Sequence, residues 1–183
     1  CVTVCPNRAN LAYSTEPLVI AVPIVAVSGA ALVEVERRQL RVEQLVQIAN
    51  IADFCNECGN CTTFCPTAGA PFLDKPRFYL DAERFATAPG TAFRFVREDG
   101  ALRIDARIAG EHQSLTLRAG CAEYRSPRVV ARFEKAPSRG DWHLVGPVLL
   151  AAPGAVQGSE TIDLAPAATL IALLAAADVV PRV

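Results

Sequence analysis

Methionine is absent from all 183 residues, tryptophan occurs once and histidine twice. The two histidines, His112 and His143, stand apart in strand-like stretches and read as surface or packed side chains, and no Ser-His-Asp constellation is recognisable. An excess of charge is also lacking. Eighteen Lys and Arg against nineteen Asp and Glu leave a net charge of -1, so nucleic acid and anionic membranes find no electrostatic footprint. Long apolar runs are missing too: the stretch from Pro17 to Val33 is broken by Pro23, Ser28 and Gly29, and that from Leu164 to Ala177 by Pro166, so no membrane span is expected. The leading Cys-Val-Thr-Val-Cys-Pro has neither the basic start nor the apolar core of a secretory signal, and the expected location is cytoplasmic. The glycines are too dispersed for a phosphate-cradling loop or a dinucleotide fingerprint. With no methionine even at position 1, and a first residue that already belongs to a motif, the chain is expected to be a fragment of something longer.

What remains is a globular composition, 51% apolar and 20% charged, enough for one ordinary core or two small domains. Leu18 to Val27 is rich in Val and Ile and reads as a strand; Ser28-Gly29 breaks it, and Leu32 to Glu36 alternates as a second strand. Arg37-Arg38-Gln39 is expected to turn before a partly alternating stretch from Leu40 to Ile48. Further on, Ala92 to Val96 and Ala101 to Ile108 flank Asp99-Gly100, a hairpin signal. Leu115 to Arg118, Val129 to Phe133 and His143 to Leu150 continue as strands, and Pro166 to Ala177 reads as a helix with Asp163 as its cap. A boundary is expected near Asp74 to Arg77.

Cysteine is the informative residue. Six of seven fall into two tight groups, which argues for metal over disulfides. Cys55, Cys58, Cys61 and Cys65, followed by Pro66, have the spacing C-x2-C-x2-C-x3-C-P by which bacterial ferredoxins hold cubane clusters. Short spacers let three thiolates curl around one cube, and Gly59 relieves the steric cost of that path. The fourth cysteine follows a longer spacer and in two-cluster proteins binds the other cube. Cys1-Val-Thr-Val-Cys5-Pro6 matches the last third of the same motif. If the motifs cross-ligate, Cys5 completes the cube of Cys55, Cys58 and Cys61, while Cys65 joins Cys1 on a second cube. Zinc, which favours two separated C-x2-C knuckles, and structural disulfides are the alternatives. Four cysteines per cube leave no iron open, which favours electron transfer over catalysis. Phe54, Phe64, Val2, Val4 and Phe72 could supply a dry shell or serve as ordinary core. Cys121 has no spacing partner and reads as a small buried hydrophobe, and Trp142 as a packing residue.

The string from Ile51 to Pro66, the segment Gly69 to Tyr79, Arg41-Val-Glu-Gln44 and Cys1 to Asn10 together resemble the C-terminal iron-sulfur region of selenate reductase-type subunits. These are large bacterial flavoproteins similar to the glutamate synthase small subunit and dihydropyrimidine dehydrogenase. The resemblance covers roughly residues 1 to 85. It implies that Cys1, Cys5, Cys55, Cys58, Cys61 and Cys65 are ligands of two [4Fe-4S] clusters. It also implies that FAD and NAD(P)H bind to missing upstream parts, with an upstream flavin domain or a redox subunit as partner. The expected fold is α+β: a bacterial-type two-cluster ferredoxin-like module over residues 1–75 with a β-rich insertion at about 11–50, then a small, mostly antiparallel β region over 76–183 ending in a helix. The expected function is electron transfer within a multidomain oxidoreductase, with a flavin-free carrier or interaction subunit as the alternative.

Overall fold

A computed structural model of the chain describes residues 1–28, 31–136, 141–146, 148–152, 154 and 160–180. The first strands are β1 (Asn10–Ser14), β2 (Leu18–Ser28), β3 (Ala31–Val42) and β4 (Val46–Ile51). β2 pairs antiparallel with β3 along its whole length, with one register shift at Ile24/Val25, just after Pro23, a residue that has no amide to donate to a ladder. The break expected at Ser28-Gly29 falls partly on residues 29–30, which lie outside the described residues. The turn expected at Arg37-Arg38-Gln39 does not form. β3 runs straight through it, because β2 offers a continuous ladder and these side chains stand in solvent, where Arg37 pairs with Glu34 and Arg38 with Glu36.

β5 (Arg77–Phe78) lies parallel between β4 and β6 (Ala92–Glu98). From β6 the sheet becomes an antiparallel meander through β7 (Ala101–Ile108), β8 (Glu111–Arg118), β9 (Cys121–Arg125) and β10 (Val129–Lys135). Its first three hairpins turn on two residues, Asp99-Gly100, Ala109-Gly110 and Ala119-Gly120, all with positive φ. Such turns match the twist of the flanking strands. β10 then pairs on one edge with both β11 (Trp142–Leu144) and β12 (Val148–Leu150). β11 pairs with β2, and β12 with β3, so β10, β11, β2, β3 and β12 close a ring of pairings; β13 (Thr161–Asp163) adds to β2 beyond its bulge.

Four helices are described: α1 (Asn60–Thr63), α2 (Pro71–Asp74), α3 (Ala82–Ala86) and α4 (Ala165–Leu173), the last running on into a 3-10 turn, Leu174–Asp178. α4 is apolar nearly all round and packs over β2, β3, β7 and β8, burying Ala167, Ala168, Leu170, Ile171 and Leu173. The Asp163 carboxylate accepts the Ala165 amide at its start. In the main core Phe78 is fully buried and stacks on Phe95 at 5.0 Å. Each such aromatic contributes about 1.5–3 kcal/mol by leaving water. Trp142 is packed into the same core, and Cys121 is half-buried on β9.

The expected ferredoxin-like two-cluster module is overturned. The described residues are organised by a thirteen-stranded mixed sheet around a Val, Ile, Leu and Phe core. Residues between the two cysteine groups are not an excursion from a cysteine-centred module: their β2–β3 hairpin pairs with β11, β12 and β13 across the boundary expected near Asp74 to Arg77. The cysteine segments are loops and one-turn helices beside β1, β4 and β5, at one end of this sheet. Among the described residues, no three His, Cys, Asp or Glu side chains are placed to hold a metal ion.

Candidate functional site

The two Cys-Pro dipeptides fold alike. After Cys5-Pro6, the Arg8 amide donates to the Cys5 carbonyl, Arg8 takes a φ of 52°, and the Ala9 amide donates to Cys5 Sγ at 3.2 Å. After Cys65-Pro66, the Ala68 amide donates to the Cys65 carbonyl, Ala68 takes a φ of 53°, and the Gly69 amide donates to Cys65 Sγ at 3.3 Å. A Cβ at Gly69 would stand 2.9 Å from Asp74 Oδ2, the acceptor of the Ala70 amide, so that carboxylate would have to shift. Amide-to-sulfur donation favours the thiolate. Hydrogen bonds from the Thr67 hydroxyl, then from the Thr67 and Gly69 amides, hold the Cys65 thiol below its ordinary pKa.

The remaining three cysteines lie on the loop from Cys55 to Cys61. Its entry is set by Asp53, whose carboxylate accepts the Leu80 amide at 2.6 Å and pairs with Arg84 at 2.9 Å. Glu57 and Gly59 both have positive φ, 55° and 79°, which folds the loop tightly enough for Cys58 and Cys61 to follow Cys55 around one concavity. Gly59 is also the N-cap of α1, on which Cys61 is buried. Glu57 is held from β5 by Arg77 at 3.0 Å.

Cys5, Cys55, Cys58 and Cys61 line one small cavity of about 10 Å3, together with Asn10 and Phe72. Cys1 and Cys65 are not among its lining residues. The cavity is below the roughly 300–1,000 Å3 usual for organic ligands. The β1–β4 pairing makes this convergence possible: Asn10 lies opposite Asn50, and the Ile51 amide donates to the Ala9 carbonyl at 2.7 Å, which fastens the Cys5 turn beside the strand leading to Cys55. All seven cysteines are free thiols, so the disulfide alternative has no support. A tetrahedral zinc site, with Zn–S near 2.3 Å, needs sulfurs roughly 3.8 Å apart. Thiolates that each take a separate corner of a cube stand farther apart than those around a single ion.

Of the expected dry shell, Phe72 lines the cavity and Val2 and Val4 are half-buried, but Phe54 and Phe64 are exposed, 44% and 65%. Those two aromatics therefore do not shield the site. Cys121 is four strands from β5 in the sheet. His112 and His143 are exposed on β8 and β11, with His112 edge-on to Phe85. Sequence reasoning missed Asn10, Asn50 and Arg77. They carry no motif, and only the strand register brings them to the cysteines.

No helix among the described residues is long and apolar enough to cross a membrane. No family model and no solved structure matches the chain. Over 106 residues it is 34% identical to the protein named "Putative oxidoreductase YgfK" of Escherichia coli strain K12, and equally to that of Escherichia coli O157:H7. The similarity takes in 57% of this chain and spans 8% of the length of each relative.

Proposed function

We propose that the chain is an electron-transfer module of a larger oxidoreductase of the selenate reductase type, with FAD and NAD(P)H bound elsewhere in that protein. Cys5, Cys55, Cys58 and Cys61 are the ligands of one [4Fe-4S] cluster, and Cys1 and Cys65 contribute to a second. The observation that carries this reading is the selective convergence of four thiols: Cys5, fifty residues from Cys55, shares its cavity, whereas Cys65, four residues from Cys61, does not. That is the crossed pattern of two-cluster motifs. The similarity to a protein named as an oxidoreductase supports a redox role.

A bound [4Fe-4S] cluster supplies one-electron transfer. The chain's own contribution is to hold the sulfurs. The Ala9 and Gly69 amides donate to the sulfurs of Cys5 and Cys65, and such donors tune cluster potential. Four thiol ligands leave no iron open to substrate, so the module relays electrons between the flavin domain and an acceptor.

The test is Cys5→Ser against Cys65→Ser in the full-length protein, purified anaerobically, with iron and sulfide quantified and EPR recorded after dithionite reduction. Cys5→Ser should abolish the signal of the cluster at Cys55, Cys58 and Cys61, and Cys65→Ser should spare it. Equal loss in both variants rejects the crossed ligation, and zinc without sulfide in the parent rejects the electron-transfer reading.

A further inference from the structure

Behind the cysteine cavity, three polar side chains stand side by side across three strands. Asn10 on β1 pairs in register with Asn50 on β4, and Asn50 pairs in register with Arg77 on β5. Residues paired across neighbouring strands point to the same face, so the three form one row. Asn10 and Asn50 are 1% and 0% exposed, an unusual depth for amides. Asn50 Nδ2 donates to Asn10 Oδ1 at 2.8 Å, and Asn10 Nδ2 donates to the Cys1 carbonyl at 3.3 Å. At the other end, Arg77 donates to Glu57, which lies between Cys55 and Cys58.

Two atoms of the row, Asn50 Oδ1 and Arg77 Nε, are buried side-chain atoms with no hydrogen-bond partner among the described residues. They are an acceptor and a donor on adjacent members of the row. Leaving such groups unpaired costs about 1–3 kcal/mol each, a cost that apolar residues at the same positions would not incur. The sheet keeps these polar side chains where Val or Ile would fit a strand better, and the row reaches both cysteine segments, Cys1–Cys5 through Asn10 and the Cys55–Cys61 loop through Glu57.

We propose that Asn10, Asn50 and Arg77 are positioning residues that lock Cys5 against the Cys55–Cys61 loop, with Asn50 and Arg77 completing the row by an Nε–H to Oδ1 bond when the cysteines are loaded. The proposal rests on the cluster reading above. The row acts on the thiol ligands through the backbone of the Cys1 segment and through Glu57. Replacing outer partners of metal ligands lowers metal affinity by about 10–100-fold.

The experiment uses the full-length protein, reconstituted anaerobically with ferrous iron and sulfide, and compares Asn50→Leu, Arg77→Met, Arg77→Lys and the remote core variant Tyr124→Phe. Iron retention against a chelator, the EPR line shape after dithionite and the thermal midpoint are read for each. Asn50→Leu and Arg77→Met should hold the cluster at least about tenfold less tightly and alter its line shape. Arg77→Lys, which keeps the charge toward Glu57, should recover part of the loss. Tyr124→Phe should lower the midpoint and leave the line shape unchanged. If Asn50→Leu fails to fold, the two Arg77 variants carry the test, since that side chain is at the edge of the core. Parental retention and line shape in both Asn50→Leu and Arg77→Met overturn the row alone. A parent protein that takes up no iron with sulfide overturns the cluster reading and the row with it.

Discussion

Tyr124 and Gln113 offer a probe of the sheet away from the cysteines. Both are buried, 3% and 5% exposed, and the Tyr124 hydroxyl donates to Gln113 Oε1 at 3.0 Å between β9 and β8. Tyr124→Phe keeps the ring and strands the Gln113 carbonyl, which costs about 2 kcal/mol. For a chain of this size that is a fall of about 4–8 °C in the thermal midpoint. Tyr124→Phe with Gln113→Leu removes both partners and should recover most of the loss. The same pair carries a pH signature. Burial pushes the Tyr124 phenol up to about 12 from an ordinary 10.0. The folded-state pKa is raised, so its contribution is fully present below pH 10 and is lost as pH rises from 10 toward 12, where the unfolded chain ionises and the folded chain does not. Two units correspond to about 3 kcal/mol across that window. Urea unfolding followed by the fluorescence of the single, packed Trp142 checks both effects. The parent should lose stability relative to Tyr124→Phe between pH 10 and 12. Equal stability of the two proteins at pH 8, or a difference between them that stays constant up to pH 12, would refute the reasoning.

Two further outcomes follow from the meander, beside those for the cysteines and the polar row. Ala109 and Ala119 occupy two-residue turns at φ 52° and 46°, where an L-residue without a local hydrogen bond is strained. Ala109→Asn and Ala119→Asn should each stabilise by about 1 kcal/mol, seen as a rise in the urea midpoint with an unchanged slope. Glu123 is held below the usual carboxylate range by its hydrogen bond from Arg132, aided by Arg125 and opposed by partial burial. Its folded-state pKa is lowered, so its contribution is present above about pH 4.5 and lost as pH falls through the folded value. With Arg132 in solvent this amounts to at most about 1 kcal/mol, and Glu123→Gln should flatten the acid limb of the stability profile by that amount.

The cysteine spacing, the Val and Ile runs and the Asp99-Gly100 turn were legible because each is local: a thiol ladder, a period of two and a backbone sign are written in neighbouring residues. The Ala109-Gly110 and Ala119-Gly120 turns were less so, since alanine does not announce a positive φ. The Arg37-Arg38-Gln39 stretch misled because polarity marks solvent, and the part of β3 beyond its pairing with β12 is as solvated as a turn. From the amino acids by themselves came the set of six cysteines and the idea that Cys5 belongs with Cys55, Cys58 and Cys61. Only the tertiary structure decided that a sheet rather than the cysteines organises the chain. The same is true of the β2–β3 hairpin, which closes a ring with β10, β11 and β12, and of the row of Asn10, Asn50 and Arg77 beneath the site. The reason is physical: strand pairing is made by backbone groups that are the same at every residue, so partners and register follow from which apolar faces can be buried together across the whole chain.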